Sequence, residues 1–149
     1  MQIYTSGIGS NVIASGTTNG AGSFSTTTDL PQSANGLRVY AGMGLTSGRI
    51  GAASFKVTAR LILSPNSGAP GSASSIEGYG FNPYETVNLY WQNPGTFLGN
   101  GMADVNGTFS GSSGVKFTVP AAAPLGVSKL FGESDTRIGA HGMGVFTVN

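Results

Sequence analysis

The chain has 149 residues and a formal net charge of +1, and only 9% of its residues are charged. Such a small charge excludes the electrostatic attraction on which binding to nucleic acid or to an anionic membrane surface depends. With 39% hydrophobic residues and no cysteine, the composition indicates a folded protein without disulfides, thiolate metal sites or thiol catalysis.

The first 59 residues predict short strands joined by glycine-rich turns. Apolar residues alternate with polar ones over Leu37–Ala41, which is the period-two pattern of a half-buried strand. A further strand is predicted at Phe55–Val57. A turn is predicted at Asn19–Gly22, because Asn and Gly both tolerate positive φ.

The remaining residues continue this pattern. Val87–Trp91 alternates apolar and polar residues, and Asp104–Gly107 places Asn-Gly between two apolar runs as a hairpin turn. Further strands are predicted at Leu61–Leu63, Val115–Val119 and Val145–Val148. No window has a 3.6-residue apolar period, and the frequent glycines disfavour helix. The predicted fold class is therefore all-β, with short strands forming a sandwich.

The two parts of the chain also match each other in sequence. The matching pairs are Ile3–Tyr4 with Leu89–Tyr90, Gly22–Ser25 with Gly107–Ser110, Pro31 with Pro120, Leu37–Gly42 with Val127–Gly132, Arg49–Ala52 with Arg137–Ala140, and Phe55–Val57 with Phe146–Val148. Their separation stays between 85 residues, from Gly22 to Gly107, and 91 residues, from Phe55 to Phe146. This period suits a tandem array of small domains, which we predict at residues 1–59 and 60–149.

The first of these domains is predicted to be incomplete. Residues 61–86, which open the second domain, have no counterpart before Met1. No signal peptide is visible at the N-terminus, so we expect a processed chain or a part of a longer polypeptide. In one interpretation the missing strands lie upstream in that polypeptide. In a second, another subunit supplies a complementing strand and the chain polymerises head to tail. In a third, the first sandwich is simply small.

A segment of the second domain carries a specific resemblance. Gly78–Glu85 reads Gly-Tyr-Gly-Phe-Asn-Pro-Tyr-Glu, and a Val-x-Leu-x-Trp strand ending at Trp91 and an Ala-Asp-x-Asn-Gly-x-Phe hairpin follow it. This arrangement resembles the bacterial Ig-like domains found in tandem on secreted and cell-surface proteins. The resemblance covers residues 60–149 and, less faithfully, 1–59, which lacks the Gly-Phe-Pro-Glu segment and has Thr5 in place of Trp91. It implies tandem immunoglobulin-like β-sandwiches, an extracellular or cell-surface location, and a role as a stalk, spacer or adhesive module; it does not imply catalysis.

The aromatic residues divide into core and surface candidates. Phe81, between glycines and a proline, is predicted to turn into the core, and Trp91 is predicted to lie between the sheets of the sandwich. Tyr90 then lies on the opposite face of the same strand. If the protein has an exposed surface for stacking against sugars, its candidates are Tyr4, Tyr40, Tyr84 and Tyr90.

The sequence shows no active site. His141 is the sole histidine, and no Gly-x-Ser-x-Gly elbow accompanies it. Glu77 and Glu85 have the residue types of a glycosidase pair, but Glu85 lies in the Gly-Phe-Pro-Glu segment, where bonding to the turn backbone is the simpler interpretation. One carboxylate at Asp104 is too few for a calcium loop. We therefore predict no cofactor, no metal and no enzyme.

The function expected from these features is structural. Only Thr58, Ala59 and Arg60 separate the two predicted strands at the junction, which predicts rigid tandem domains. We expect a stalk, surface fibre or filament component whose partners are copies of itself or neighbouring repeats. The alternative is a carbohydrate-binding or adhesive module attached to a larger secreted protein or enzyme, with surface glycans as partners. No apolar run approaches the ~20 residues that would span a bilayer.

Overall fold

The computed structural model describes residues 1–5, 11–92, 95–135 and 141–149. Within these residues all regular structure is β-strand, apart from one short 3-10 turn at Gly111–Ser113, so the predicted all-β class is confirmed. The strands are β1 Gln2–Thr5, β2 Val12–Ser15, β3 Gly36–Met43, β4 Ile50–Val57, β5 Arg60–Ser64, β6 Ser67–Gly68, β7 Ala73–Tyr79, β8 Thr86–Trp91, β9 Thr96–Met102, β10 Val115–Thr118, β11 Gly126–Ser134 and β12 His141–Val148. The described ranges contain no helix of the length and hydropathy that a membrane crossing needs. The matched segment at 137–140 lies outside the described residues.

The chain divides into two compact units. Unit 1 comprises Met1–Pro31 and Gly36–Lys56, and unit 2 comprises Gln32–Asn35 and Val57–Asn149. The sequence predicted a boundary at residue 59, whereas Gln32–Asn35 also belongs to unit 2. There the Asn35 amide donates a 2.9 Å hydrogen bond to the carbonyl oxygen of Phe81. Only Thr58 and Ala59 separate β4 from β5, one residue fewer than the sequence suggested.

Unit 2 is a β-sandwich. One sheet has the strand order β10-β7-β5, and the other has the order β6-β12-β11-β8-β9. The short strand β6 pairs in parallel with β12, whereas the other described pairings in unit 2 are antiparallel. The chain thus leaves the first sheet after β5 and joins the edge of the second at β6. The two sheets pack face to face around one core, as expected of a β-sandwich.

Alternating residues of the two sheets fill the core of unit 2. Trp91 on β8 is only 4% exposed, as predicted, and its ring centroid lies 6.1 Å from that of Phe117 and 5.7 Å from that of Phe146. Because Phe117 belongs to the three-stranded sheet and Phe146 to the five-stranded one, Trp91 ties the two sheets together. The chain has no cysteine, so no disulfide joins the two sheets. Large aromatic side chains of this kind supply the apolar burial between them instead.

Phe81 enters the same core from the turn after β7, as its glycine-flanked position predicted. The residue is fully buried, and its ring centroid lies 5.6 Å from that of Phe109. A Cβ atom at Gly142 would lie 2.7 Å from Cζ of Phe81, and one at Gly132 would lie 3.3 Å from the same atom. These two glycines of neighbouring strands form a socket for the ring.

Unit 1 consists of a single sheet with the strand order β2-β1-β3-β4. The predicted repeat equates β1 with β8, β3 with β11 and β4 with β12, which are neighbours in the same order in unit 2. Residues 24–31, which contain the predicted counterparts of β10, form no strand. Unit 1 therefore has a sheet resembling the second sheet of unit 2 and no second sheet within its described residues.

The two sheets agree in register as well as in order. Ile3 pairs with Ala14 and Gly42, while Leu89, its predicted counterpart, pairs with Gly99 and Gly132. A bulge follows at the same place in both, between residues 3 and 4 and between residues 89 and 90. The sequence did not reveal the bulge, because nothing in the side-chain pattern of these strands marks the extra residue.

The predicted turns agree in their hydrogen bonds. Oδ1 of Asp104 accepts the amides of Asn106 at 2.8 Å and Thr108 at 2.9 Å, as expected for a hairpin turn. In unit 1 Oδ1 of Asn19 accepts the amides of Ala21 and Ser23, each at 3.0 Å. Both turns therefore use one side-chain oxygen to bind two backbone amides, an Asx-turn arrangement.

Candidate functional site

The carboxylates considered for catalysis are occupied by structural bonds. Oε2 of Glu85 accepts the amide of Asn82 at 2.7 Å in the turn before β8, which confirms the backbone-bonding interpretation. Glu77 lies on β7, where its Oε1 accepts the amide of Gly111 at 2.9 Å and its Oε2 accepts the hydroxyl of Tyr79 at 2.8 Å. Within the described residues, no three His, Asp or Glu side chains form a group that could hold a metal ion.

The bonds to Glu77 give a pH-dependent prediction. The Gly111 amide and, next, the Tyr79 hydroxyl lower the pKa of Glu77, so its stabilising contribution is complete above the ordinary carboxyl pKa and disappears as the pH falls through the lowered value. The same Glu77 bond raises the pKa of Tyr79, whose contribution is lost in alkali. We expect Glu77→Gln to cost less than about 1 kcal/mol at neutral pH, because Glu77 is only partly buried and solvent screens its interactions. The difference from the native chain should vanish in acid, as urea unfolding followed by Trp91 fluorescence can test; a constant difference would contradict the assignment.

The four candidate tyrosines do not form one surface. In unit 1, Tyr4 pairs with Ala41 and Thr5 with Tyr40, so Tyr4 and Tyr40 lie on opposite faces of the sheet. Tyr4 is 7% exposed and offers little surface, and Tyr40 is half-buried. In unit 2, Tyr84 is 66% exposed and lies in the turn before β8. Of the four, Tyr90 alone takes part in a continuous pattern on a sheet face.

That pattern is a row of apolar side chains across four strands. Phe97 on β9 pairs with Tyr90 on β8, Tyr90 pairs with Phe131 on β11, and Phe131 pairs with Met143 on β12. The rings of Tyr90 and Phe97 lie 5.6 Å apart with their planes at 59°. Phe97 and Met143 are about half exposed, and the face opposite the core carries all four. We call these four residues the outer aromatic row.

A polar row lies beside the outer aromatic row on the same face. Asn100 pairs with Asn88, Asn88 pairs with Glu133, and Glu133 pairs with His141. The two rows are adjacent because Asn88, Glu133 and His141 each precede or follow a member of the aromatic row by two residues. We call these four residues the outer polar row. His141, for which the sequence predicted no catalytic role, is thus an exposed member of the outer polar row.

The sequence pointed to Tyr90 but missed Phe97, Phe131 and Met143. Each is separated from Tyr90 by a loop or a strand, and the row exists only through the pairing of β9, β8, β11 and β12. The alternation in β12, where exposed residues alternate with buried ones, was the available signal that Met143 and Val145 share the outer face.

Unit 1 presents a second surface of interest, the face equivalent to the core side of β8, β11 and β12. Leu89, Leu130, Phe109 and Phe146 are fully buried in unit 2, whereas their predicted counterparts Ile3, Tyr40, Phe24 and Phe55 are partly exposed. Phe55 is 50% exposed, whereas Phe146 is 0% exposed. We call this surface, defined by Ile3, Phe24, Tyr40 and Phe55, the open face.

No protein-family model and no curated protein sequence matches this chain.

Proposed function

We propose that this protein is a non-catalytic structural component of an extracellular or cell surface, built from rigid tandem immunoglobulin-like repeats that form a stalk, fibre or filament. The observation that carries the proposal is the agreement between the sheet of unit 1 and β9-β8-β11-β12 of unit 2 in strand order, register and bulge position. Sheets that agree at this level are expected of a repeated domain, and repeated small domains serve as spacers.

Three further features support the same proposal. The two residues between β4 and β5 leave no flexible tether. The surface is almost without charge, so electrostatic repulsion between neighbouring copies is weak. The carboxylates nearest to an enzymatic arrangement, Glu77 and Glu85, bind backbone amides instead.

The proposal is tested by locating the protein on the cells that produce it. We expect an antibody raised against the 149-residue chain to label intact cells, and a brief treatment of those cells with protease to remove the label. An antibody against a cytoplasmic protein of the same cells serves as the control and should label only permeabilised cells. Labelling of this protein only after permeabilisation would contradict a surface role.

A second candidate function is carbohydrate binding, which the outer aromatic row and the outer polar row favour. Sugar rings stack on aromatic side chains through their apolar C–H faces, and their hydroxyls bond to amide and carboxylate groups. Tyr90 and Phe131 provide the first kind of contact, and Asn88 and Glu133 provide the second within the same face.

Replacement of Tyr90 by alanine distinguishes the carbohydrate-binding function from the purely structural one. If glycans are bound, Tyr90→Ala should weaken binding to a soluble polysaccharide by about fivefold, since an aromatic stacking contact contributes on the order of 1 kcal/mol. Tyr84→Ala is the matched control, because Tyr84 is exposed but lies outside both rows. Binding is measured by affinity electrophoresis over a panel of polysaccharides. Equal retardation of the native chain and of Tyr90→Ala by every polysaccharide would exclude this function.

A further inference from the structure

Unit 1 shares packing features with the core side of unit 2, and the three-stranded sheet of unit 2 shows what those features accommodate there. In unit 2, Gly78 of β7 lies so close to the ring of Phe109 that a Cβ atom there would overlap the ring. On its other side the same ring covers Gly101, where a Cβ atom would lie 2.7 Å from it. Phe109 is thereby enclosed between two glycines.

Half of this enclosure is present in unit 1. Phe24, the predicted counterpart of Phe109, covers Gly16 as Phe109 covers Gly101, with a Cβ atom at Gly16 lying 2.6 Å from the ring. The other side of Phe24 is the side on which Gly78 lies in unit 2, and the Phe24 side chain is partly exposed. The open face thus has an aromatic ring placed to receive a glycine.

The socket for Phe81 also has a counterpart. The match of Phe55 with Phe146 places Gly51 at the position of Gly142, because each glycine lies four residues before its phenylalanine. The match of Arg49–Ala52 had instead paired Gly51 with Gly139, which lies outside the described residues. The ring of Phe81 fills the space beside Gly142, whereas a Cβ atom at Gly51 would meet no atom within 4 Å. The open face therefore combines a ring that can receive a glycine with a glycine that can receive a ring.

We propose, as a deepening of the proposed structural role and resting on it, that the open face of unit 1 binds a pair of β-strands of the kind formed by residues 60–81, supplied by another repeat of the same type. The strand pair carries apolar residues at alternate positions, as at Leu61, Leu63 and Ile76, and ends in Gly-x-Gly-Phe. Its glycine covers Phe24 and its terminal phenylalanine lies beside Gly51. Residues 26–29, the predicted counterparts of β10, then pair with the added strand as β10 pairs with β7.

A second copy of this chain is a weaker occupant than a further repeat with a free strand pair. Residues Leu61, Leu63 and Ile76 are already buried in unit 2, where β5 pairs with β7 over five residues of each strand. Transferring this pair to the open face of a neighbouring chain would uncover the core of the donor's own unit 2. Such an exchange gains no net apolar burial, which is the main driving force for association.

The test is a full-length chain with an extra copy of residues 60–86 fused directly before Met1. This junction keeps the natural spacing, because Ile3 then follows the added segment as Leu89 follows Thr86. Trypsin cleavage after Arg38, which lies within β3, is read by mass spectrometry and reports on unit 1. We expect the added segment to slow this cleavage by about tenfold or more, because cleavage proceeds through opened states of the sheet. The fluorescence of Trp91, the sole tryptophan, reports independently that unit 2 is folded.

Two matched variants of the added segment make the test specific. In the first variant, valine replaces the glycine of the added segment that copies Gly78. Its side chain would collide with Phe24, so the protection from trypsin should be abolished. In the second variant, alanine replaces the phenylalanine of the added segment that copies Phe81, and the protection should be strongly reduced. Equal protection by the native and both variant segments, or no protection by the native segment, would overturn the proposal. If the fused chain lacks the native Trp91 spectrum, the synthetic 60–86 peptide added to the unmodified chain gives the same readout.

Light scattering of the unmodified chain shows whether a further repeat or a second copy of this chain occupies the open face. We expect a monomer, because the strand pair β5–β7 of the described residues is already part of the sandwich of unit 2. A dimer or polymer that persists on dilution would overturn the choice of a further repeat and would show that copies of this chain supply the strands. The surface-labelling experiment is independent of both results, so failure of the strand proposal leaves the proposed function to be judged separately.

Discussion

Phe109→Ala should lower the free energy of unfolding of unit 2 by about 3–5 kcal/mol, which is the range for removing a fully buried phenylalanine. Phe109 has no exposed surface, and its ring fills the space between Gly78, Gly101 and the ring of Phe81. Two of these neighbours have no side chain that can move into the cavity, so the loss should lie near the upper end of the range. Urea unfolding followed by Trp91 fluorescence measures the effect.

Phe24→Ala is the matched control. The same ring over the same kind of glycine is partly exposed in unit 1, so its removal should cost no more than about 1–2 kcal/mol, in proportion to the apolar area that it buries. Amide hydrogen exchange in β3 measures the effect on unit 1. A cost for Phe24→Ala equal to that for Phe109→Ala would show that the ring is covered in solution and that the open face is already occupied.

These two residues also show how far the sequence could predict the fold. The match of Gly22–Ser25 to Gly107–Ser110 equated Phe24 with Phe109 correctly in local structure, because turn chemistry and the following aromatic are both local signals. The sequence could not show that Gly16 and Gly101 face these rings, since isolated glycines in strands have several meanings. The contact depends on strand pairing, which is not local.

The candidate surfaces were less predictable than the core. Alternation placed Trp91 inside and Tyr90 outside, and the structure confirms both positions. Alternation cannot tell which outward residues of different strands become neighbours, because that depends on register and on the bulge beside Tyr90. The outer aromatic row therefore emerged only from the paired strands. Tyr4, which the sequence match pairs with Tyr90, is buried instead.

Gly107→Ala should cost roughly 3 kcal/mol, the second large effect that the structure predicts. Gly107 has φ of +72°, where an alanine is strained by about 1–2 kcal/mol. In addition, a Cβ atom there would overlap the carbonyl oxygen of Phe81, whose amide bonds to the Gly107 carbonyl at 3.0 Å. Relief of that overlap requires a backbone shift, which adds about 1–3 kcal/mol. The same urea unfolding experiment measures the sum.

Gly22 separates the two contributions, because it has φ of +77° in the equivalent turn while a Cβ atom there would meet no atom within 4 Å. Gly22→Ala should therefore cost about 1–2 kcal/mol from strain alone, measured by hydrogen exchange in unit 1. Asn tolerates this backbone conformation, so Gly22→Asn should recover most of the loss, whereas Gly107→Asn should recover little because the overlap with Phe81 remains. Equal recovery at both positions would mean that backbone strain, rather than the approach of Phe81, requires glycine at residue 107.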